Sequence, residues 1–379
     1  MPEPTTTRQL GVAVVGYSFM GRAHSNAWRN VGAFYPDVPG VRMETIVGRD
    51  AAKVGQAAAE LGWASSETDW RALLDRDDID IIDVCTPGHL HAEVALAALK
   101  AGKHVLVEKP LANSVSECED LVAAAAAAPG RAMLGFNYRR VPALALAREL
   151  VAQGRLGTVQ EARLSYLQDW LSDPQAPMTW RLRRETAGSG VLGDLGSHAV
   201  DQLHYLLGEH VTSASGTLRT FVPERPGPDG TEAVTVDDAA WATLHTASGV
   251  VASLEVSRVA TGRKNALSIE LYGTAGSLRF DLERLNELVL TGAGDDPTAG
   301  ASTILVTEPE HPYLQAWWPA GHVLGWDHTF TSQAADFLRA IATGEPAHAG
   351  FEDGLVVQRV LAAIETSHGL GGTLTTTGN

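Results

Sequence analysis

The chain has 379 residues, 45% hydrophobic and 20% charged, with a formal net charge of −16. That length accommodates two domains with separate cores, and the composition excludes collagen, coiled coil and a disordered chain. The negative charge argues against nucleic-acid partners and anionic membranes, whose phosphates its field repels.

Residues 1–10 are polar and hold no leader-like apolar run, and no later stretch reaches the roughly 18–20 apolar residues of a membrane span. The cytoplasm is the expected location. Residues 10–15 form a short apolar run ending at Gly16, the pattern of a buried parallel strand. Further runs follow at 41–47, 79–84, 104–107 and 131–136, alternating with helical stretches at 51–61, 91–101 and 115–127. Strands alternating with helices of this length imply right-handed crossovers and a parallel sheet, hence an α/β Rossmann domain over residues 1–138. Cys85 and Cys118 read as free buried thiols.

In such a sheet ligands bind beyond the carboxyl ends of the strands. The first end reads Gly16-Tyr17-Ser18-Phe19-Met20-Gly21, the spacing of a dinucleotide fingerprint with Ser18 where the middle glycine usually sits. Gly16 serves the tight turn, Gly21 the close packing of helix on strand, and a small serine lets backbone approach pyrophosphate. The second end lacks the carboxylate that binds a ribose 2′-hydroxyl and reads Gly48-Arg49-Asp50. A guanidinium there pairs with a 2′-phosphate, which favours NADP. The other reading leaves Arg49 on adenine or in water, with Asp50 taking the ribose of NAD. Thr86, Pro87, His89, His91, Glu108 and Lys109 lie at the remaining ends and complete the expected cofactor set.

Lys109 follows Glu108 and precedes Pro110, at a bond that is a candidate for the cis form. Alcohol oxidation needs a positioned base and a stabiliser for the developing alkoxide. Lys109 suits this chemistry, as does the glycine-rich segment 188–201, where Asp194 and His198 stand four apart on one helix face. A carboxylate beside an imidazole orients the ring and stabilises its charged form, which suits His198 to act as the base. His204 and Asp201 lie close by, but without a second compact ligand cluster no metal is expected.

From 139 to 379 the pattern changes to longer strands with short turns, at 159–168, 211–221, 238–246, 250–258, 266–272 and 277–281, with weaker ones at 288–290 and 304–306. They imply an α+β domain with a large, mostly antiparallel open sheet. Residues 223–230 and 292–302 read as Pro/Gly-rich loops, and helices at 329–342 and 351–368 close the chain, the last expected to pack across both domains. One sheet face would hold the Asp194–His198 helix, and the other would be bare unless a second subunit covered it, so a homodimer or homotetramer is expected. Tyr138, Gln168 and Trp170, with Asp194 and His198, are the expected substrate contacts, the first three supplying ring faces for sugar CH groups and an amide for hydroxyls. Asp169 is a further hydroxyl partner, while Trp317, Trp318 and above all Trp326 fit core or subunit contacts equally well.

The phosphate loop, Thr86-Pro87-x-His89-x-His91, residues 101–105 leading to Glu108-Lys109-Pro110, and Gly190-x-Leu192-x-Asp194-x-Gly196-x-His198-x-x-Asp201 together resemble the glucose–fructose oxidoreductase / inositol dehydrogenase / MocA family. The resemblance covers nearly the whole chain. Residues 136–140 and 166–170, with Pro312-Tyr313 and Trp318-Pro319, resemble its levoglucosan dehydrogenase-like glycoside 3-dehydrogenases. It implies that Lys109, Asp194 and His198 form the catalytic set, that Pro110 shapes the site, and that the substrate is a sugar-like polyol oxidised with NADP or NAD, at C3 in a glycoside or anhydrosugar. Ser18 and Gly48-Arg49 depart from the family pattern, and the second makes simple transfer of NAD preference doubtful. Inositol or aldose dehydrogenation remains an alternative, as do a reductase of a non-sugar ligand and a regulator that binds dinucleotide without catalysis.

Overall fold

A computed structural model describes residues 8–292 and 300–378; the polar start of the chain and most of the loop expected over 292–302 lie outside the described residues. Contacts divide the chain into two units. The first takes Met1–Ala112, Ser116–Asn137 and Gly325–Gly354, and the second takes Asn113–Val115, Tyr138–Leu324 and Leu355–Asn379. The sequence boundary after residue 138 gave all later residues to the second domain, whereas Gly325–Gly354 falls in the first unit.

The first unit contains a six-stranded sheet. Its strands are β1 (Leu10–Val15), β2 (Val41–Val47), β3 (Ser65–Glu67), β4 (Ile81–Val84), β5 (His104–Val107) and β6 (Ala132–Leu134), in the order β3-β2-β1-β4-β5-β6. Every pairing among these strands is parallel. Helices α1 (Phe19–Phe34), α2 (Ala51–Leu61), α3 (His91–Lys100) and α4 (Val115–Ala127) form the connections. The central strands have both faces covered, so Val12, Ala13, Val14, Ile81, Val84, Val105 and Val107 are wholly buried. Burial stabilises each larger aliphatic side chain by about 1.5–3 kcal/mol and explains the near-continuous apolar runs. The sixth strand, β3, was not foreseen, because three polar residues show no apolar run.

The second unit begins with α5 (Pro142–Ala152) and β7 (Val159–Leu167), followed by α6 (Arg184–Ala187) and α7 (Ser197–Leu207). Strands β8 (Val211–Arg219), β9 (Glu224–Gly227), β10 (Gly230–Ala233), β11 (Ala239–Thr246), β12 (Val251–Ser257), β13 (Ala266–Gly273), β14 (Gly276–Asp281), β15 (Glu287–Gly292) and β16 (Ser302–Leu305) follow. Then come α8 (His328–Thr343, in the first unit), α9 (Phe351–Gly369) and β17 (Thr375–Thr376). Nine strands form one open sheet ordered β16-β15-β14-β13-β7-β12-β11-β8-β17. Among the described residues only β7 and β12 pair in parallel, so the expected large and mostly antiparallel sheet is present. The expected loop at 223–230 is instead part of a hairpin of β9 and β10, closed by the Gly227-Pro228-Asp229-Gly230 turn. Its composition reads as loop because the strands are short and lack an alternating apolar pattern. Strand alternation puts Ala162, Leu164 and Tyr166 inward and Arg163 outward on β7. The inward face carries α7, and the later turns of α9 lie over β8, where Ser367 Oγ accepts the Gly216 amide at 3.0 Å.

Candidate active site

The phosphate loop is built by two glycines. Gly16 has φ +114°, and a Cβ there would lie 2.5 Å from the Cys85 carbonyl oxygen. A Cβ on Gly21 would lie 1.9 Å from the Gly16 oxygen, so α1 seats directly on the turn only because that position is glycine. Ser18 stands at the N-cap of α1 but its hydroxyl makes no capping bond, so the amides of the first turn keep no side-chain partner. Free amides at a helix start and a backbone cradle that any Cβ would fill suit a pyrophosphate. Thr86, at the end of β4, adds a buried hydroxyl oxygen with no hydrogen-bond partner. The residues present therefore fit a dinucleotide.

The other expected cofactor residues differ in availability. Phe19 is 64% exposed and stacks on Trp326 with centroids 5.4 Å apart. Met20 and Pro87 are half-buried, and Arg49 and His89 are exposed. Gly48 is glycine because the Tyr17 ring covers it, leaving 2.0 Å for a Cβ. The Asp50 carboxylate caps α2 on the Lys53 amide at 3.1 Å and pairs with the Lys53 ammonium, bonds that hold it below the usual carboxylate range. Two of the expected residues are engaged within the unit. His91 is buried with its ring nitrogens 2.9 and 2.8 Å from the Thr86 and Pro110 carbonyls, so the ring ties two strand-end loops together. Glu108 is likewise buried, and its carboxylate is engaged within the unit. Half-buried Lys109 follows β5, and its bond to Pro110 is cis, as expected.

In the second unit, Asp237 organises the start of the His198 helix. Its carboxylate accepts the Gly190 and Leu192 amides at 2.8 Å each, and its carbonyl accepts Val191 at 3.1 Å. A Cβ on Gly190 would lie 2.0 Å from that carbonyl. The chain then makes a π-helical turn, Leu192–Gly196, before α7, so Asp194 sits in a widened turn of a kind often found at functional sites. Asp194 is half-buried and His198 buried. Arg258, 1% exposed, lies at Asp238 and within electrostatic reach of Asp237 and Asp194; desolvation pushes its guanidinium down while the three carboxylates push it up.

Around His198 the rings close in. The Tyr138 ring centroid lies 4.5 Å from that of His198 and the Tyr166 centroid 6.0 Å. Tyr138 and Tyr166 share a hydrogen bond of 2.8 Å, Tyr166 donates to Asn265 Oδ1 at 2.7 Å, and Gln168 Nε2 donates to the same oxygen at 2.7 Å. Burial and the neighbouring Tyr138 push the Tyr166 phenol well above its ordinary value, so it remains a donor. Gln168 gives one of its two N–H groups to Asn265, which fixes the orientation of the amide. Tyr138 is 3% exposed and belongs to the wall behind His198, whereas Trp170 is 42% exposed. Asp169 is held by Lys264 at 2.7 Å and by the Gly262 amide. Asn265, Asp237 and Arg258 were not singled out from sequence. Each acts on partners tens of residues away, and no local spacing marks them.

The sequence profile of an oxidoreductase family with an NAD-binding Rossmann fold matches residues 10–136, and that of the GFO/IDH/MocA C-terminal domain matches residues 144–279. A levoglucosan dehydrogenase of Pseudarthrobacter phenanthrenivorans is 37% identical over 378 residues, covering 95% of this chain and 96% of that protein. The crystal structure of an oxidoreductase domain protein from Kribbella flavida superposes with a TM-score of 0.95 at 52% identity, over 98% of this chain and 100% of that one. A levoglucosan dehydrogenase in complex with NADH and levoglucosan superposes with a TM-score of 0.95 at 37% identity, over 98% and 100%. No described helix is long and apolar enough to cross a membrane.

Proposed function

The chain belongs to the glucose–fructose oxidoreductase / inositol dehydrogenase / MocA family of NAD-binding oxidoreductases, and from that premise we propose that it oxidises a secondary hydroxyl of a pyranose whose anomeric oxygen is blocked, a glycoside or anhydrosugar, at C3. The observation that carries the reading is the polar chain Tyr138–Tyr166–Asn265–Gln168 beside His198. It holds the Gln168 amide in place two residues before the exposed Trp170 ring, an amide and a ring face being the chemistry that grips a sugar. Similarity to a levoglucosan dehydrogenase supports the substrate class.

Bound dinucleotide supplies the hydride acceptor. The carbinol C–H pair leaves as hydride, the O–H proton passes to His198, and a ketone remains. Asp194 stabilises the imidazolium that forms, and the Lys109 ammonium donates to the developing alkoxide. Trp170 covers a sugar face and Gln168 accepts a hydroxyl proton. The exposed Arg49 guanidinium is the group that meets a 2′-phosphate, and Asp50, spent on α2, leaves the ribose without a free carboxylate. NADP is therefore the favoured dinucleotide. Two free cysteines, one of them Cys118 in the core, suit a reducing cytoplasm. The open face of the nine-stranded sheet supports a homodimer or homotetramer.

The deciding experiment incubates the protein with levoglucosan, methyl glucoside, glucose and myo-inositol and either NAD⁺ or NADP⁺, and identifies products by NMR. A 3-keto product from the first two supports the reading. Turnover confined to glucose or inositol points to aldose or inositol dehydrogenation, and dinucleotide binding without turnover on any sugar points to a regulator. Arg49→Ala should raise KM for NADP⁺ severalfold more than for NAD⁺, and an equal effect removes Arg49 from the choice.

A further inference from the structure

The first unit buries a charged cluster that the proposed reaction does not use. His24, one turn into α1, is 2% exposed, and its two ring nitrogens meet two different carboxylates. Nδ1 lies 2.8 Å from Asp83 Oδ2, and Nε2 lies 2.9 Å from Glu108 Oε1. Asp83, with no exposure, also accepts from Trp28 Nε1 at 2.7 Å and from the Cys85 thiol at 3.6 Å. The second oxygen of Glu108 accepts the backbone amide of Lys109 at 3.2 Å. Gly135 makes room for this carboxylate, since a Cβ there would lie 2.8 Å from Oε1.

The hydrogen-bond arithmetic for two ionised carboxylates points to two ring protons. Ionised carboxylates only accept, and a neutral imidazole has one N–H, so a neutral ring would leave one nitrogen lone pair facing a carboxylate oxygen at under 3 Å. A doubly protonated ring satisfies both contacts. We propose that His24 is held as an imidazolium between Asp83 and Glu108 and, through Glu108, fixes the backbone at Lys109, making it a positioning residue for the lysine. The titratable groups facing the ring among the described residues are Asp83, Cys85 and Glu108; α8 contributes the uncharged Phe330 ring, 5.3 Å away. Burial is the largest single influence and pushes His24 down, but the electrostatic pull of Asp83 and Cys85 and the hydrogen bonds to them together outweigh it, and the net shift is well above the ordinary value. A raised folded-state pKa stabilises the protein fully below the unfolded value of about 6.5, and that stabilisation is lost as pH rises through the folded value. Burial also pushes the Cys85 thiol far up, keeping it a donor to Asp83.

His24, Asp83 and Cys85 have donor atoms within 4.8 Å of one another, an arrangement that also admits a metal ion. A metal would need a deprotonated ring nitrogen and the thiolate, whereas the geometry has both nitrogens at hydrogen-bond distance from carboxylates.

The lysine role rests on the proposed reaction, so two of the measurements are independent of turnover. In ¹⁵N-histidine spectra at pH 7 the His24 ring should carry protons on both nitrogens; a singly protonated ring overturns the proposal, as does a stoichiometric bound metal. Amide hydrogen exchange at Lys109 should speed up about tenfold or more in Glu108→Gln and His24→Leu relative to neighbouring residues on β5, and unchanged exchange overturns it. Where the protein turns over a sugar, Glu108→Gln should lower kcat about tenfold while dinucleotide affinity, set by the Gly16–Gly21 amides, stays within about threefold. His24→Leu leaves two buried carboxylates without a counter-charge and lowers Tm; adding Glu108→Gln should recover Tm but not kcat. Joint recovery of both shows a merely structural role. Absence of turnover on every sugar counts against the proposed reaction alone, leaving the ring protonation and amide exchange to decide this inference.

Discussion

His198 is 6% exposed, and the Tyr138 ring centroid lies 4.5 Å from its own. As the base of the proposed reaction it contributes on the order of 10²–10⁴ in rate. His198→Ala and Lys109→Ala should each lower kcat by about a hundredfold or more with an unchanged circular dichroism spectrum, and near-wild-type turnover in either removes that residue from the chemistry. Asn265 tests a different function. Its Oδ1 holds Gln168 Nε2 and the Tyr166 hydroxyl at 2.7 Å each, so Asn265→Leu frees the Gln168 amide to rotate and reverse its polarity toward a ligand. Each such bond contributes about 0.5–1.5 kcal/mol, up to roughly tenfold in an equilibrium. KM for the sugar should therefore rise about tenfold with kcat within a few fold, and a fall confined to kcat would contradict a binding role. Lys109 and His198 were legible in the sequence because their neighbours announce them, Glu108 and Pro110 on one side and a glycine-rich helix start on the other. Asn265 was not, since its partners Gln168 and Tyr166 precede it by 97 and 99 residues and only the register of β13 on β7 brings them together.

At the scale of elements, strand period was the most readable signal. The inward–outward alternation of β7, β11 and β12 follows from side chains that alternate across a pleat, and their observed limits lie within a residue or so of those read from pattern. Short polar strands such as β3 and the β9–β10 hairpin lack that alternation and were missed. The helix bearing His198 was legible too, but not its π-helical first turn, because that turn depends on Asp237 holding the Gly190 and Leu192 amides at 2.8 Å from a segment 45–47 residues downstream. Asp237→Ala leaves two buried amides without acceptors, at about 1–3 kcal/mol each, and strips a carboxylate from the vicinity of buried Arg258. Denaturant unfolding should register a loss of about 2–5 kcal/mol, and kcat should fall because Asp194 loses its turn. Asp237→Asn keeps one carbonyl acceptor and should lose less of both. Equal stability of wild type and Asp237→Ala would mean that other contacts build the turn.

For the whole molecule, the outward face of the nine-stranded sheet is the surface on which the proposed subunit contact is tested. Its described residues include Arg163, Thr217, Trp241, Thr243, Ser253 and Glu255, a shallow open depression across β7, β8, β11 and β12. It is too wide and polar to enclose a sugar, and it carries Trp241 at 38% exposure. A net charge of −16 disfavours self-association at long range, so the proposed pairing through this face would have to come from local complementarity, with Arg163, Glu255 and Trp241 as the groups at hand. A stable twofold contact covers about 800 Å² on each partner, which a sheet of this size readily supplies. Trp241→Glu replaces the aromatic anchor with a charge repeated on both partners. It should shift the species seen by light scattering from dimer or tetramer toward monomer, without lowering Tm at concentrations where the wild type is itself dissociated. Raising salt should narrow the gap between the two by screening the added repulsion. A wild-type protein that scatters as a monomer at micromolar concentration, or a Trp241→Glu variant that assembles as the wild type does, would place any subunit contact on another surface.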